Sequence, residues 1–486
     1  MPEHIIHRQT VTLEVSSQED TYEMQNRISH LLKDELPSLI EPLLNKISPD
    51  GTILRIDKLD IDLGMIHSSN LENEFREKLI GQLSESLSKA SVDYKNHSVT
   101  SIGKEKSLLD SLLFFLHHGY LPWYSNARDF KIWEGDLTES FSKEDWHHLI
   151  LELKIDFQDH EYFLNRLAWQ FSERFLKMLL SGIIEGSDFY SDDVFKDLAN
   201  IWNELNRRNL NAGTYRFWKL VLQTSLFTND DLLFNVLQRI LSDSALIKTG
   251  ADNSVFPLHN DLSKILSSLE KMAVTEVLKT ALKKTALEIE KKMPEISEKN
   301  QPAIEETKQK QSKIKPASED TDLIVENCGM VLLHPFLQMY FEELGMLEDD
   351  DFRSEIMQHR AVLLLHYLVT GETDVAETHL VFPKLLCAMD FNEPVPAFID
   401  LTEKERTESE TLLRSVLGHW EPLSRSSIES LQQTFLQREG KLIQTDTGWK
   451  VYAEQKAVDL LLNKLTWGIS TIQLPWMQNV LNVEWF

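Results

Sequence analysis

The chain has 486 residues and a formal net charge of −27, from 77 acidic and 50 basic side chains. That excess repels nucleic-acid phosphates and anionic lipid, so neither is expected as a partner. Two cysteines, Cys328 and Cys387, are too few for a disulfide framework, and their apolar neighbours read as reduced core thiols.

The opening decapeptide MPEHIIHRQT has no apolar run behind a basic region, so no Sec signal is expected. TVTLEV (10–15) alternates in the manner of a strand, with Val11, Leu13 and Val15 on one side. A helix is predicted from about Thr21 to Leu32, carrying Met24, Ile28, Leu31 and Leu32 on one face. Pro37 and Pro42 punctuate the next helical piece. Ser48-Pro49-Asp50-Gly51 is a turn signal, and TILRIDKLDIDLG (52–64) follows as a strand. Its apolar phase flips between Asp57 and Lys58, which predicts a β-bulge. Leu71, Phe75, Leu79 and Leu83 then recur every fourth residue over a helix at 71–90. Residues 1–95 are thus expected to form a small strand-helix-strand unit.

Residues 105–292 read as a helical domain. SLLDSLLFFL (107–116) is a buried helix stopping at Gly119. Stripes such as Phe163, Leu167, Phe171 and Phe175 mark later helices, and a long one is predicted from about Asp261 to Lys292. Residues 293–321 hold three prolines, many Lys and Glu, and no aromatic residue. They are expected to be a disordered linker.

Residues 322–486 read as a mainly helical C-terminal domain, rich in Trp. Thr402 and Glu405 have capping-box spacing, ahead of a stripe of Leu412, Leu413, Val416, Leu417 and Trp420 that Pro422 ends. Ser426 with Glu429 repeats the capping signal, and Gly440 is placed as a helix C-cap. The runs 441–444 and 449–453, joined by Thr445-Asp446-Thr447-Gly448, predict a hairpin. The fold class is therefore mainly α with small β elements.

No phosphate loop, dinucleotide fingerprint, nucleophile elbow or H-E-x-x-H zinc motif occurs, so neither an enzyme nor a cofactor is expected. His117-His118 and His147-His148 are adjacent pairs. Adjacent helix positions point apart, so each pair offers one metal ligand at best. Asp57, Asp60 and Asp62 fail the calcium-loop pattern, because Gly64 stands where a third ligand belongs; a solvated strand face is expected, or a contact to another subunit. Glu348-Asp349-Asp350-Asp351 is expected to complement the dipole of the helix after it. The longest apolar runs, at 112–116 and 361–369, fall short of the ~20 residues that cross a bilayer, so no stable membrane insertion is expected.

Leu121-Pro122-Trp123 and Leu474-Pro475-Trp476 repeat one tripeptide. With Trp420, Trp467 and Trp485, the residues Trp123, Pro475 and Trp476 are candidates for either core anchoring or partner docking, since Trp supplies large buried area and is enriched at interface hot spots.

Several long stretches resemble the contractile injection system tape measure family. They are NCGMVLLHPF (327–336), RAVLLLHYLVTGE (360–372), KLLC (384–387), LLRSVLGHWEPLSRSSIESLQQTFLQREGKL (412–442), TWGISTIQLPWM (466–477) and Val483-Glu484-Trp485. IDKLDIDLG (56–64) and GYLPW (119–123) are similar to the family's beginning and middle. The resemblance implies a non-enzymatic component of phage-tail-like extracellular particles, a tape measure that sets tube length during assembly. It implies tube, hub and baseplate proteins as partners, with self-association open, and a cytoplasmic protein that the particle can carry out. The alternative is a cytoplasmic assembly chaperone or scaffold for those subunits.

Overall fold

The computed structural model describes residues 4–6, 9–14, 21–47, 52–56, 58–92, 99–125, 129–156, 161–182, 192–205, 214–227, 232–243, 268–292 and 322–485. These form a mainly α protein with small β elements, as the sequence predicts. The predicted linker 293–321 lies outside the described residues. The chain divides into two compact units, one of residues 1–112 and 122–128, the other of residues 113–121 and 129–486.

In the first unit, helices Thr21–His30, Leu36–Ile47 and Leu71–Val92 bring Ile28, Leu31, Leu36, Leu71, Phe75 and Leu79 into one apolar cluster. Two bidentate pairs brace it. Arg27 donates to both Glu72 oxygens at 2.7 and 2.8 Å, and Arg76 to both Glu35 oxygens at 2.5 and 2.7 Å. Residues 10–14 do not form the predicted strand. The strand at 52 stops at Ile56, and residues 58–67 carry no regular structure. The place of the predicted bulge, Asp57, is outside the described residues. Ile61 and Leu63 nevertheless reach the cluster from the irregular segment, so the apolar phase was set by burial rather than by a sheet. The partner of Thr52–Ile56 is Val99–Gly103, running antiparallel. Asp60 is solvent-facing and pairs with Lys58, while Asp62 accepts the Gly64 amide in a turn.

In the second unit, helices Phe130–Ser140, Lys143–Asp156, Tyr162–Gln170, Glu173–Ser181, Asp192–Leu205, Thr214–Phe227 and Leu232–Asp243 bury the predicted stripes. Phe171 and Phe175 stack at 4.2 Å. The long helix predicted from 261 is interrupted: it pauses at 273–275 and resumes as Glu276–Lys292. The buried Asp197 carboxylate causes the break. It accepts the Val274 and Thr275 amides at 3.0 and 2.9 Å, taking the place of a local cap.

Residues 322–485 close around a single apolar cluster that includes Leu332, Leu333, Phe341, Leu364, Trp420 and Trp449. A five-stranded sheet flanks it, in the order Leu323–Val325, Gly440–Thr445, Gly448–Ala453, Val480–Glu484, Thr471–Ile472. The predicted hairpin is its centre, paired from Gly440 with Ala453 to Thr445 with Gly448. Val480–Glu484 joins the hairpin in parallel register. Gly440 therefore begins a strand and is no helix cap, because the residues before it leave the helix through a π turn at Gln432–Leu436. The capping box at Thr402 and Glu405 is formed on helix Glu403–His419. The second cap is Ser427, one residue past Ser426. The acidic run does not cap helix Glu355–Thr370, whose cap is Ser354. Glu348–Asp351 instead forms the tip of a short hairpin, with Asp349 and Asp350 at φ 50° and 64°. A type I′ hairpin turn needs positive φ at both central residues, and Asp tolerates it better than most side chains.

Candidate functional site: buried charge centres and tryptophan anchors

Arg166 lies on helix Tyr162–Gln170 between the core residues Phe163 and Leu167, and is itself fully buried. Its guanidinium meets the Glu377 carboxylate edge-on, Nε to Oε2 at 2.8 Å and Nη2 to Oε1 at 3.0 Å. Nη1 donates to the Leu116 carbonyl and Nη2 to the Asn392 carbonyl at 2.7 Å. Lys384, on the short helix Val381–Leu386, completes the group: Nζ donates to Glu377 Oε1 at 2.6 Å and to the Phe391 carbonyl at 3.0 Å. The Glu377 amide donates to Gln170 Oε1 at 2.9 Å, and Gln170 Nε2 donates to the Val395 carbonyl at 2.8 Å.

One carboxylate thus serves two cations in a place closed to water. Burial pushes the Lys384 ammonium down from its ordinary range, against the pull of Glu377. Gly119 admits the carboxylate. It sits at φ 75°, where a side chain is strained. A Cβ there would collide with Glu377 Oε1 and lie 2.9 Å from Arg166 Nη2. The family-like stretches GYLPW and KLLC meet here, through Gly119 and Lys384. His118, beside Gly119, bonds Asn392 Oδ1 at 2.9 Å, and burial lowers its basicity.

A second charge centre holds the end of the chain. Arg438, also fully buried, donates to Asp459 Oδ1 at 2.9 Å and to the Thr434 carbonyl at 2.8 Å. Asp459 accepts Trp485 Nε1 at 3.2 Å, and the guanidinium lies 5.4 Å from the Trp485 ring centroid. Nearby, Gly329 is required by the approach of Phe435 and Leu436: a Cβ there would lie 2.8 Å from the Leu436 carbonyl oxygen.

The six candidate residues separate by burial. Trp420, Trp476 and Trp485 are buried, and each indole donates a hydrogen bond, Trp420 to the Leu461 carbonyl at 3.0 Å and Trp476 to the Leu386 carbonyl at 2.7 Å. Trp476 also packs on Phe341 and Phe352 at 5.6 and 5.2 Å. Trp467 is half-buried against Phe336, and Pro475 is exposed. Trp123 belongs to the other compact unit and is 38% exposed, beside Tyr124, which Arg55 covers at 3.7 Å. The Trp residues of the two Leu-Pro-Trp tripeptides therefore belong to different units, and each tripeptide opens a turn.

Cys328 and Cys387 are buried free thiols, and burial pushes the Cys328 thiol up to about 12. His117 packs on Phe163, and His148 faces Glu152. Among the described residues, no group of three or more His, Cys, Asp or Glu is placed to hold a metal ion. No described helix is long and apolar enough to cross a membrane. Sequence reading missed both charge centres. The available signal was a cation at a core position, Arg166 between Phe163 and Leu167 and Lys384 between Pro383 and Leu385.

The site is thus that of a helical protein whose buried charges and tryptophans fasten distant segments of chain. The chain belongs to the contractile injection system tape measure protein family, whose family model matches residues 3–485. No curated protein and no solved structure matches it.

Proposed function

We propose that the protein is a tape measure that sets tube length while an injection particle is assembled, in a non-enzymatic role. The observation that carries this reading is the family match over residues 3–485. Tube, hub and baseplate proteins are the proposed partners, met in the cytoplasm or in the particle. The proposed organisation has an N-terminal unit at 1–95, a helical region at 105–292, a linker at 293–321 and a C-terminal domain at 322–486.

A second reading, an assembly chaperone or scaffold, is favoured by one feature. Residues 322–485 seal Trp420, Trp476 and Trp485 in a closed core. A chain used only as an extended thread gains nothing from such burial. The longest described helix, Leu71–Val92, has 22 residues and reaches only ~33 Å. A ruler built from this chain would span length by placing folded units in series or by unfolding them.

Mass spectrometry of purified particles separates the two. Peptides from 322–485 at a fixed ratio to the tube subunit support the tape measure. Their absence from intact particles, with the protein retained in the assembling cell, supports the chaperone.

A further inference from the structure

Among the described residues, the C-terminal apolar cluster takes Tyr120 as its one buried member from outside residues 322–485, and none of its buried members comes from the helices at 129–292. Polar groups bridge that seam instead. Arg166 and Gln170, from helix Tyr162–Gln170, bond to Glu377, Asn392 and Val395.

Such a seam behaves differently from an apolar one. Its charges tolerate burial only with every partner in place, since each alone would lack both water and a counter-charge. Once parted, both faces are solvated by water, which an apolar face is not. Partial opening is therefore the costly state. Gly119 shows how tightly the closed state is fitted, because even a methyl group there would displace the carboxylate.

We propose that Arg166, Glu377 and Lys384 form a clasp through which helix Tyr162–Gln170 parts from and rejoins the segment 377–395 in one cooperative step, before the C-terminal core that contains 381–386 opens. This does not depend on the tape measure reading. The clasp would serve equally a chain that must extend and a chaperone that must yield its surface.

Native-state hydrogen exchange on the full-length protein tests it. In the wild-type chain, the amides of 165–170 and the residue-377 amide, which donates to Gln170 Oε1 across the seam, should exchange through one shared opening, with the same dependence on denaturant. Amides of 361–369, inside the C-terminal core, should need a larger opening. Glu377→Gln should speed exchange on both sides of the clasp at least ~100-fold, the scale of losing one partner of a buried ion pair, and leave 361–369 nearly unchanged. The triple variant Arg166→Met, Glu377→Leu, Lys384→Met should return protection to both sides together. Different denaturant dependences for the two sides, faster exchange on one side only, or equal acceleration at 361–369 would each overturn the clasp. Should Glu377→Gln fail to fold, the wild-type comparison decides alone.

Discussion

Replacing Asp459 by asparagine removes the counter-charge of Arg438 and turns one of two accepting oxygens, which also serve the Lys456 amide and Trp485 Nε1, into a donor. Arg438 has no solvent exposure. It would keep the Thr434 and Glu454 carbonyls, at 2.8 and 3.1 Å, but these dipoles do not neutralise a cation. An uncompensated buried charge costs about 3–5 kcal/mol. With a denaturant slope of about 2 kcal/mol/M, the urea midpoint should fall by ~1.5–2.5 M. The assay is pulse proteolysis of the full-length protein across a urea series, read from peptides of residues 322–485. The double variant Arg438→Met, Asp459→Asn carries no buried charge, so it should recover at least half of the loss. A loss below about 1 kcal/mol for Asp459→Asn would refute this reasoning, as would a double variant costing the sum of its parts.

Other outcomes follow from the same geometry. His366 is buried in helix Glu355–Thr370, and burial, reinforced by nearby His379, lowers its pKa to about 4. The unfolded chain protonates near the ordinary value of about 6.5, so the unfolded state binds the extra proton between the two values. Stability from this group is therefore complete above pH 6.5 and falls as pH drops toward 4, by about 3 kcal/mol. His366→Leu should flatten that part of the profile in urea titrations at pH 7 and 5, and an unchanged slope would remove His366 as its source. The burial difference among the tryptophans predicts that Trp420→Ala costs about 3–5 kcal/mol and Trp123→Ala under about 1 kcal/mol in pulse proteolysis read from peptides of each residue's own unit; equal losses would contradict the division into anchor and surface.

The elements that were legible in the sequence are those decided locally. The hairpin at 440–453 shows alternation around a turn, and the capping box at Thr402 needs only Glu405, three residues on. The sheet around that hairpin was not legible. Leu323–Val325 and Val480–Glu484 find their places through partners far away in sequence. Residues 58–63 misled because alternation records burial on one side, which an irregular segment over an apolar cluster also provides. The interruption at 273–275 depends on Asp197, a residue no local pattern connects to it. The charge centres escaped for a related reason. Arg166 and Lys384 look like ordinary polar positions until Glu377 is brought between them. Yet the family-like stretches held the decisive residues all along, with Gly119 in one, Lys384 in another, and Arg438 and Trp485 in two more.

The most direct measurement of the central claim is tube length. Particles would be assembled with the chain lengthened or shortened within residues 293–321, and their tubes measured by electron microscopy. Tube length that rises and falls with the number of residues is the predicted result. Tubes of unchanged length, in particles that still assemble, would contradict a ruler and leave the assembly role.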